Sequence, residues 1–180
     1  VLNGEKLNEL RFSLVKDTQV VYQELVQSLV AENDRAKIFC EVTAELFPGF
    51  DSSIGLQTNL NNAHANDLRR RSTTKGPHKA DIIFESKGSL IKDKFSRGEQ
   101  KLLSIIWSMS QNIMLGRVYN LSPILLLDDL SSELDSEMLE CFLPALKYIE
   151  NRFIFSNIVD LFGSKIDHSN EQLNNFHVEQ

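Results

Sequence analysis

The sequence predicts an α/β domain with a largely parallel sheet. Three observations lead there. Helix-like and strand-like segments alternate through the second half of the chain. The run Ile124-Leu125-Leu126-Leu127 is continuously apolar, as expected of a strand covered on both faces, and ends in two carboxylates, Asp128 and Asp129. About one helix earlier, the turn Ser96-Arg97-Gly98 opens a segment whose apolar residues Leu102, Ile105, Ile106, Met109 and Ile113 recur at helical spacing.

The remaining elements follow in order. Leu7, Leu10, Leu14, Val21, Leu25 and Leu29 predict one face of an amphipathic helix, interrupted by Asp17 and Thr18. Ile38, Phe39, Val42 and Leu46 predict a second helix stopped by Pro48-Gly49. Residues 51–62 are rich in Ser, Asn and Asp and read as a loop with one short strand near Ile54–Gln57. A third helix is expected from Leu60 to Arg71. Gly76-Pro77-His78 is a turn into an extended run, Ala80–Glu85, and Lys87-Gly88 is a hairpin tip before Ser89-Leu90-Ile91. Trp107 is expected to be a packing anchor and Gly116 a helix stop. Asp135 should cap a helix carrying Leu139, Phe142 and Leu146, which Pro144 breaks early. Arg152–Phe155 and Phe176–Glu179 complete the expected strands.

Bulk properties bound the function. With 180 residues, 42% of them apolar, the chain can bury one sizeable core, as one domain or two subdomains. The formal net charge of −6 argues against a surface that coats nucleic acid throughout, yet leaves room for a local basic patch. Cys40 and Cys141 lie far apart with no metal-like spacing, the pattern of reduced thiols in a cytosolic chain. No apolar run approaches the ~20 residues a membrane helix needs. No signal peptide is visible, and Val1 in place of Met predicts a start inside a longer protein.

The chemistry concentrates in two places. A helix N-terminus exposes unpaired N–H groups and partial positive charge, so the Ser96-Arg97-Gly98 turn suits a phosphate. The same residues with Glu99 also spell an ordinary capping box, which needs no ligand. Asp128 and Asp129 repel one another at the edge of an apolar core unless a cation compensates, and Mg²⁺ bound to triphosphate oxygens is a natural choice. One of them capping a helix, or lying solvated in a loop, is the plainer account. Arg69-Arg70-Arg71, with Lys75 and Lys79, is either a solvated helix terminus complementing the dipole or a phosphate-contacting patch. His78 has no partner at ligand spacing. No Gly is followed by Lys, so the G-x-x-x-x-G-K-[ST] phosphate loop is absent.

The order of these motifs resembles the second half of an ABC-type ATPase head: signature turn, Walker B strand, and a D-loop at Ser132-Glu133-Leu134-Asp135. With Gly76-Pro77-His78-Lys79-Ala80-Asp81, Phe95-Ser96-Arg97-Gly98-Glu99-Gln100-Lys101 and the closing Phe176-His177-Val178-Glu179-Gln180, the chain from about Arg69 onward resembles the RecF family of bacterial recombination-repair ATPases, related to SMC heads. That resemblance implies the C-terminal half of an ABC-type, SMC-like P-loop head, with residues 1–75 in a helical second lobe and 76–180 returning to the ATPase lobe. It implies ATP and Mg²⁺ as cofactors, an ATP-dependent homodimer, DNA and RecO- and RecR-type partners, RecA loading at single-strand gaps, and a cytoplasmic, membrane-free setting. By position, Ser96, Arg97 and Gly98 would face the partner's γ-phosphate, with Ser132 and Asp135 beside them. Asp128 would hold Mg²⁺ and Asp129 would direct the attacking water. Asp129 stands where most ABC ATPases have Glu, and Phe155-Ser156-Asn157 lacks the usual switch histidine, leaving Ser156 or Asn157 in that place. Alone, the chain is expected neither to bind ATP tightly nor to hydrolyse it. The competing readings are another ABC-type or SMC-like ATPase, or a non-catalytic binding module.

Overall fold

The computed structural model describes residues 1–121, 123–128, 134–149 and 153–155. Helix α1 (Leu2–Glu32) runs along one side of the molecule and buries Val15, Thr18, Tyr22, Leu25, Val26 and Leu29. The predicted stripe therefore holds only from Val21 onward. Leu10 is 62% exposed and Leu7 42%, because the first turns of α1 extend beyond the core and rest on the Pro48–Gly49 turn through polar contacts. Asn8 Nδ2 donates to Pro48 O at 2.9 Å. Thr18 lies inside the core. Its hydroxyl donates to Leu14 O at 2.8 Å, so the helix itself satisfies the buried polar atom.

The helix expected over Ile38–Leu46 does not form. A 3-10 helix, Asp34–Phe39, is capped by Asn33 Oδ1 accepting from Arg35 N at 3.0 Å, and strand β1 (Val42–Phe47) follows. Val42 and Leu46 satisfy a helical spacing and a strand face equally, and pairing with β2 (Asp81–Ser86) decides between them. β1 and β2 are antiparallel, with Val42 opposite Ser86 and Leu46 opposite Ile82. The two-residue turn Lys87-Gly88, with φ of 53° and 72°, returns the chain to β3 (Ser89–Leu90), as the sequence predicts.

Residues 51–62 are likewise not a loop with a strand; helix α2 (Gly55–Arg70) starts among them. Their polar residues build its start. Asn59 Nδ2 donates to Asp51 O and Gly55 O at 2.7 and 2.8 Å, and Asp51 N donates to Asn59 Oδ1 at 3.1 Å. Only Leu56 and Asn59 of α2 are buried, so the helix projects from the body.

After the short helix α3 (Ile91–Lys94), helix α4 (Arg97–Tyr119) packs along α1. It passes through Gly116 and ends at Asn120, whose left-handed φ of 51° takes the stop position assigned to the glycine. Trp107 is a buried anchor, stacked edge-on against Phe84 at 5.1 Å. Strand β4 (Leu125–Leu127) pairs in parallel with β5 (Phe153–Phe155). The described strands thus form one antiparallel and one parallel sheet, not a largely parallel one. β4 is covered on one face: Leu127 is buried, whereas Ile124 and Leu126 are 61% and 69% exposed. Helix α5 (Ser136–Phe142) begins at Asp135, and a 3-10 segment, Leu143–Ile149, takes over across Pro144. The final strand expected at Phe176–Glu179 lies outside the described residues.

One core joins these pieces, from Val15 of α1 to Ala145 beyond α5. At its edge Gly76 N donates to Gly49 O at 3.0 Å, tying the turn before α2 to the turn before β2. Gly49 has φ of 86°, and a Cβ there would overlap Gly76 O and the Lys79–Ala80 backbone. Gly49→Ala is expected to destabilise the protein by at least ~2 kcal/mol in a denaturant titration, because strain and backbone overlap combine. Gly55→Ala, at φ of 74° but facing open space, is expected to lose only about 1 kcal/mol.

Candidate functional site

The start of α4 is set by its own sequence. Ser96 is extended, Glu99 N donates to Ser96 Oγ at 3.3 Å, and Ser96 N donates to Glu99 Oε2 at 2.6 Å. This is a complete capping box, so the plainer account of Ser96 and Glu99 holds in the structure. Gln100 Nε2 adds a bond to Phe95 O at 2.8 Å, fixing the entry angle of the chain. The N–H groups of Arg97 and Gly98, in the first turn, have no intrahelical acceptor.

No described residue demands Gly98. Among the described residues, a Cβ added there would meet only Met138 Cγ, at 4.0 Å. Glycine gives up backbone order that alanine would keep, up to about 1 kcal/mol in a helix interior, and the described packing offers no return for this choice. An uncluttered backbone at a helix start, with two N–H groups that donate to no described residue, suits a phosphate oxygen.

Met138 belongs to α5, which places the next motif beside the first. Asp135 caps α5, its Oδ1 accepting from Met138 N at 2.8 Å. The Ser96–Gly98 turn and the Asp135 turn are therefore neighbours, although about 40 residues separate them. Asp128 sits at the exposed C-terminal end of β4, one residue beyond buried Leu127. Asp129, Ser132, Ser156 and Asn157 lie outside the described residues, so the paired-acid arrangement is represented by Asp128 alone. Among the described residues no group of His, Cys, Asp and Glu is arranged to hold a metal.

Two contacts that periodicity could not reveal reach this region from the segment after α1. Arg35 Nη1 lies 2.5 Å from Glu137 Oε2 in the first turn of α5, and the Phe39 ring meets Phe95 at 5.8 Å. Asn33 before a short polar segment signals the capped turn, but nothing local signals its distant partners. Both cysteines are free. Burial pushes the Cys141 thiol upward, while nearby Arg35 opposes that shift.

Arg69, Arg70 and Arg71 lie at the C-terminal end of α2, whereas Lys75 is near Asp51 and the Lys79 backbone lies against Gly49, both ahead of the helix start. Arg69, Arg70, Arg71, Lys75 and Lys79 are all exposed, and none makes an ion pair with a described residue. Thr74 N and Oγ1 both donate to Asp67 Oδ1, at 3.0 and 2.6 Å, folding the following chain back on the helix end. Lys75 is close enough to help hold the Asp51 carboxyl below its usual range, behind the larger effect of the Ser53 hydrogen bonds. Arg71 occupies the left-handed position that ends the helix, with φ of 53°, where glycine is the unstrained choice. His78 Nε2 donates to Thr73 O at 2.9 Å, a structural role.

The fold is of the α/β type and resembles the RecF and ABC-ATPase head. The solved structure of the recombination mediator protein RecF with ATPrS superposes with a TM-score of 0.57 at 20% identity, over 87% of this chain and 42% of that one. The chain belongs to the family described as "AAA domain, putative AbiEii toxin, Type IV TA system", whose model matches residues 32–156. Among curated proteins it is similar to the DNA replication and repair protein RecF of Acinetobacter baumannii, at 37% identity over 132 residues, 73% of this chain and 34% of that one. The RecF of Pseudoalteromonas translucida matches at 28% over 176 residues, 97% of this chain and 47% of that one. The chain thus spans between a third and a half of the length of the curated relatives it matches.

Asp135→Ala is expected to lower stability by about 1 kcal/mol, the usual loss for an N-cap. Asp135→Asn is expected to retain most of it, since the amide oxygen still accepts from Met138 N. Equilibrium unfolding of the two variants checks this.

Proposed function

We propose that this chain supplies the signature and Walker B half of a RecF-like, ABC-type ATPase head that serves DNA repair and recombination. The observation that carries the proposal is the adjacency of the open Ser96-Arg97-Gly98 helix start and the Asp135 turn, through Gly98 and Met138. The RecF relatives favour a repair role over the toxin role named in the family description.

In this reading residues 1–75 belong to the helical second lobe and 76–180 to the ATPase lobe, with the β1–β2 pairing stitching the two together. Ser96, Arg97 and Gly98 bind the γ-phosphate of ATP held by a phosphate loop elsewhere in the dimer, Gly98 through its N–H. Asp135 stands beside the same turn, and Ser132 is assigned to nucleotide binding with it. Asp128 would hold Mg²⁺, and the Asp129 carboxylate would orient or deprotonate the attacking water. Mg-ATP supplies the triphosphate electrophile and the charge that offsets these acids; catalysis by the chain's own residues is then largely positioning. Asp129 is one methylene shorter than the usual Glu, which fits slow turnover. The basic end of α2, with Lys75 and Lys79, binds the DNA backbone. RecO- and RecR-type proteins are the proposed partners in loading RecA at gaps, and the cytoplasm the proposed setting; no described helix is long and apolar enough to cross a membrane.

The central test uses the full-length protein. Ser96→Arg, which fills the helix start with a bulky cation and removes the cap, is expected to abolish ATP-dependent dimerisation in sedimentation runs while costing only about 1 kcal/mol of stability. A normal ATP-dependent dimer would remove this turn from the site. For the basic surface, replacing Arg69, Arg70 and Arg71 together with Ala is expected to weaken DNA binding. The slope of log affinity against log salt should become shallower by about 2–3, close to one unit for each phosphate the arginines neutralise. An unchanged slope would leave the three arginines as solvated helix-end residues.

A further inference from the structure

We infer that the 3-10 helix Asp34–Phe39 is a bracket that fixes the spacing of the two nucleotide-facing turns, with Arg35 as its positioning residue. The inference rests on the reading of Ser96–Gly98 and Asp135 given above, and adds to it a mechanical link to α1.

The bracket touches both turns from opposite ends. Arg35 Nη1 pairs with Glu137 Oε2 at 2.5 Å, two residues beyond the Asp135 cap. Phe39, fully buried, sets its ring edge-on to Phe95 at 5.8 Å, immediately before Ser96. Both ends are themselves anchored. Asn33 Oδ1 accepts from Arg35 N at 3.0 Å, and Tyr22 Oη of α1 donates to Phe39 O at 3.0 Å. Asp34 and Lys37 pair at 2.9 Å across the same turn. A short, capped segment is thus held to α1 on one side and to the starts of α4 and α5 on the other.

The pair Arg35–Glu137 is about half exposed at both partners, and such pairs add little to global stability. Its geometric effect is larger. Glu137 lies within one helical turn of Asp135 and Met138, and Met138 is the side chain that faces Gly98. Moving Arg35 relative to α5 changes the gap between the two helix starts. A displacement of α1 passes through Phe39 and Arg35 to both turns together.

The test is a charge swap in the full-length protein, read by the ATP concentration at half-maximal dimerisation in sedimentation. Arg35→Glu and Glu137→Arg are each expected to raise it about fivefold, the size of an exposed pair's contribution. The double variant is expected to return to within about twofold of the parent. Melting temperatures of all three should agree within roughly 3 °C, because the pair is not a major stabiliser. Unchanged single variants, or a swap that fails to rescue, would overturn the bracket. Ser96→Arg is measured alongside. If it leaves the dimer intact, the nucleotide reading and the bracket fall together; if it blocks dimerisation while Arg35→Glu does not alter it, the bracket alone falls.

Discussion

A line of aromatic contacts holds this structure in register. Phe84 of β2 meets Trp107 of α4 at 5.1 Å, Trp107 meets Tyr22 of α1 at 5.9 Å, and Tyr22 Oη reaches the carbonyl of Phe39, whose ring meets Phe95. Sheet, both long helices, the 3-10 turn and the approach to α4 are thereby joined in one series. Burial pushes the Tyr22 phenol far above its usual range, with Cys40 adding to the shift, so it stays protonated and able to donate. Aromatic pairs of this kind are worth about 0.5–1.5 kcal/mol beyond the area they bury. The greater consequence is geometric. Each ring fixes the angle of the next element, and the last ring stands one residue before Ser96.

Around that series the polar groups are disposed to leave little backbone unsatisfied. The outer edge of β1 is met by α1: Gln19 Nε2 and Gln23 Nε2 both donate to Val42 O at 3.1 Å, and Ala44 N donates to Gln19 Oε1 at 2.9 Å. An open strand edge is a template for unwanted pairing, and two glutamines one helical turn apart block it. Arg11 Nη1 donates to Pro77 O at 2.6 Å, which fixes the Gly76–Pro77 turn against α1. The first turns of α1, apolar by sequence yet exposed, are thus held by hydrogen bonds where the later turns are held by packing.

What the sequence made legible divides along the same line. Elements defined by local chemistry were readable: the Ser96 and Asp135 caps, the Lys87-Gly88 turn, the break at Pro144, and Trp107 as an anchor. Elements decided by distant partners were not. Val42, Ala44 and Leu46 become a strand because β2 lies alongside, and the Asn- and Ser-rich stretch becomes a helix start because Asn59 staples Asp51. Thr18 looked like an interruption because its hydroxyl was counted as polar, whereas a helix can satisfy it from within. The acid-ended strand was identifiable by composition, but the exposure of Leu126 was not, since an apolar run carries no information about which faces are covered. Of the candidate site, the adjacency of Gly98 and Met138 needed the fold; Asp128 and the two caps did not.

Local sequence and fold disagree at Gly98 and Arg71, both on the proposed surfaces, as they also do at Lys87 (φ of 53°) in the β2–β3 turn. Glycine at position 98 weakens a helix start that no described neighbour crowds, and arginine at position 71 holds a left-handed backbone that glycine would adopt freely. Each choice costs on the order of 1 kcal/mol, in a class of molecule whose net stability is only about 5–15 kcal/mol. Among the described residues the packing recovers neither cost: Gly98 has one such neighbour, at 4.0 Å, and Arg71 has no salt bridge. Such losses persist where a ligand, not the fold, makes use of the residue. An open helix start gains from a phosphate oxygen that a side chain at position 98 would exclude. A cation fixed at the tip of a projecting helix gains from a polyanion that a chain of net charge −6 would otherwise repel. The two exceptions therefore fall on the proposed phosphate-facing helix start and on the basic C-terminal tip of α2, with α1 and its 3-10 turn bearing on the first.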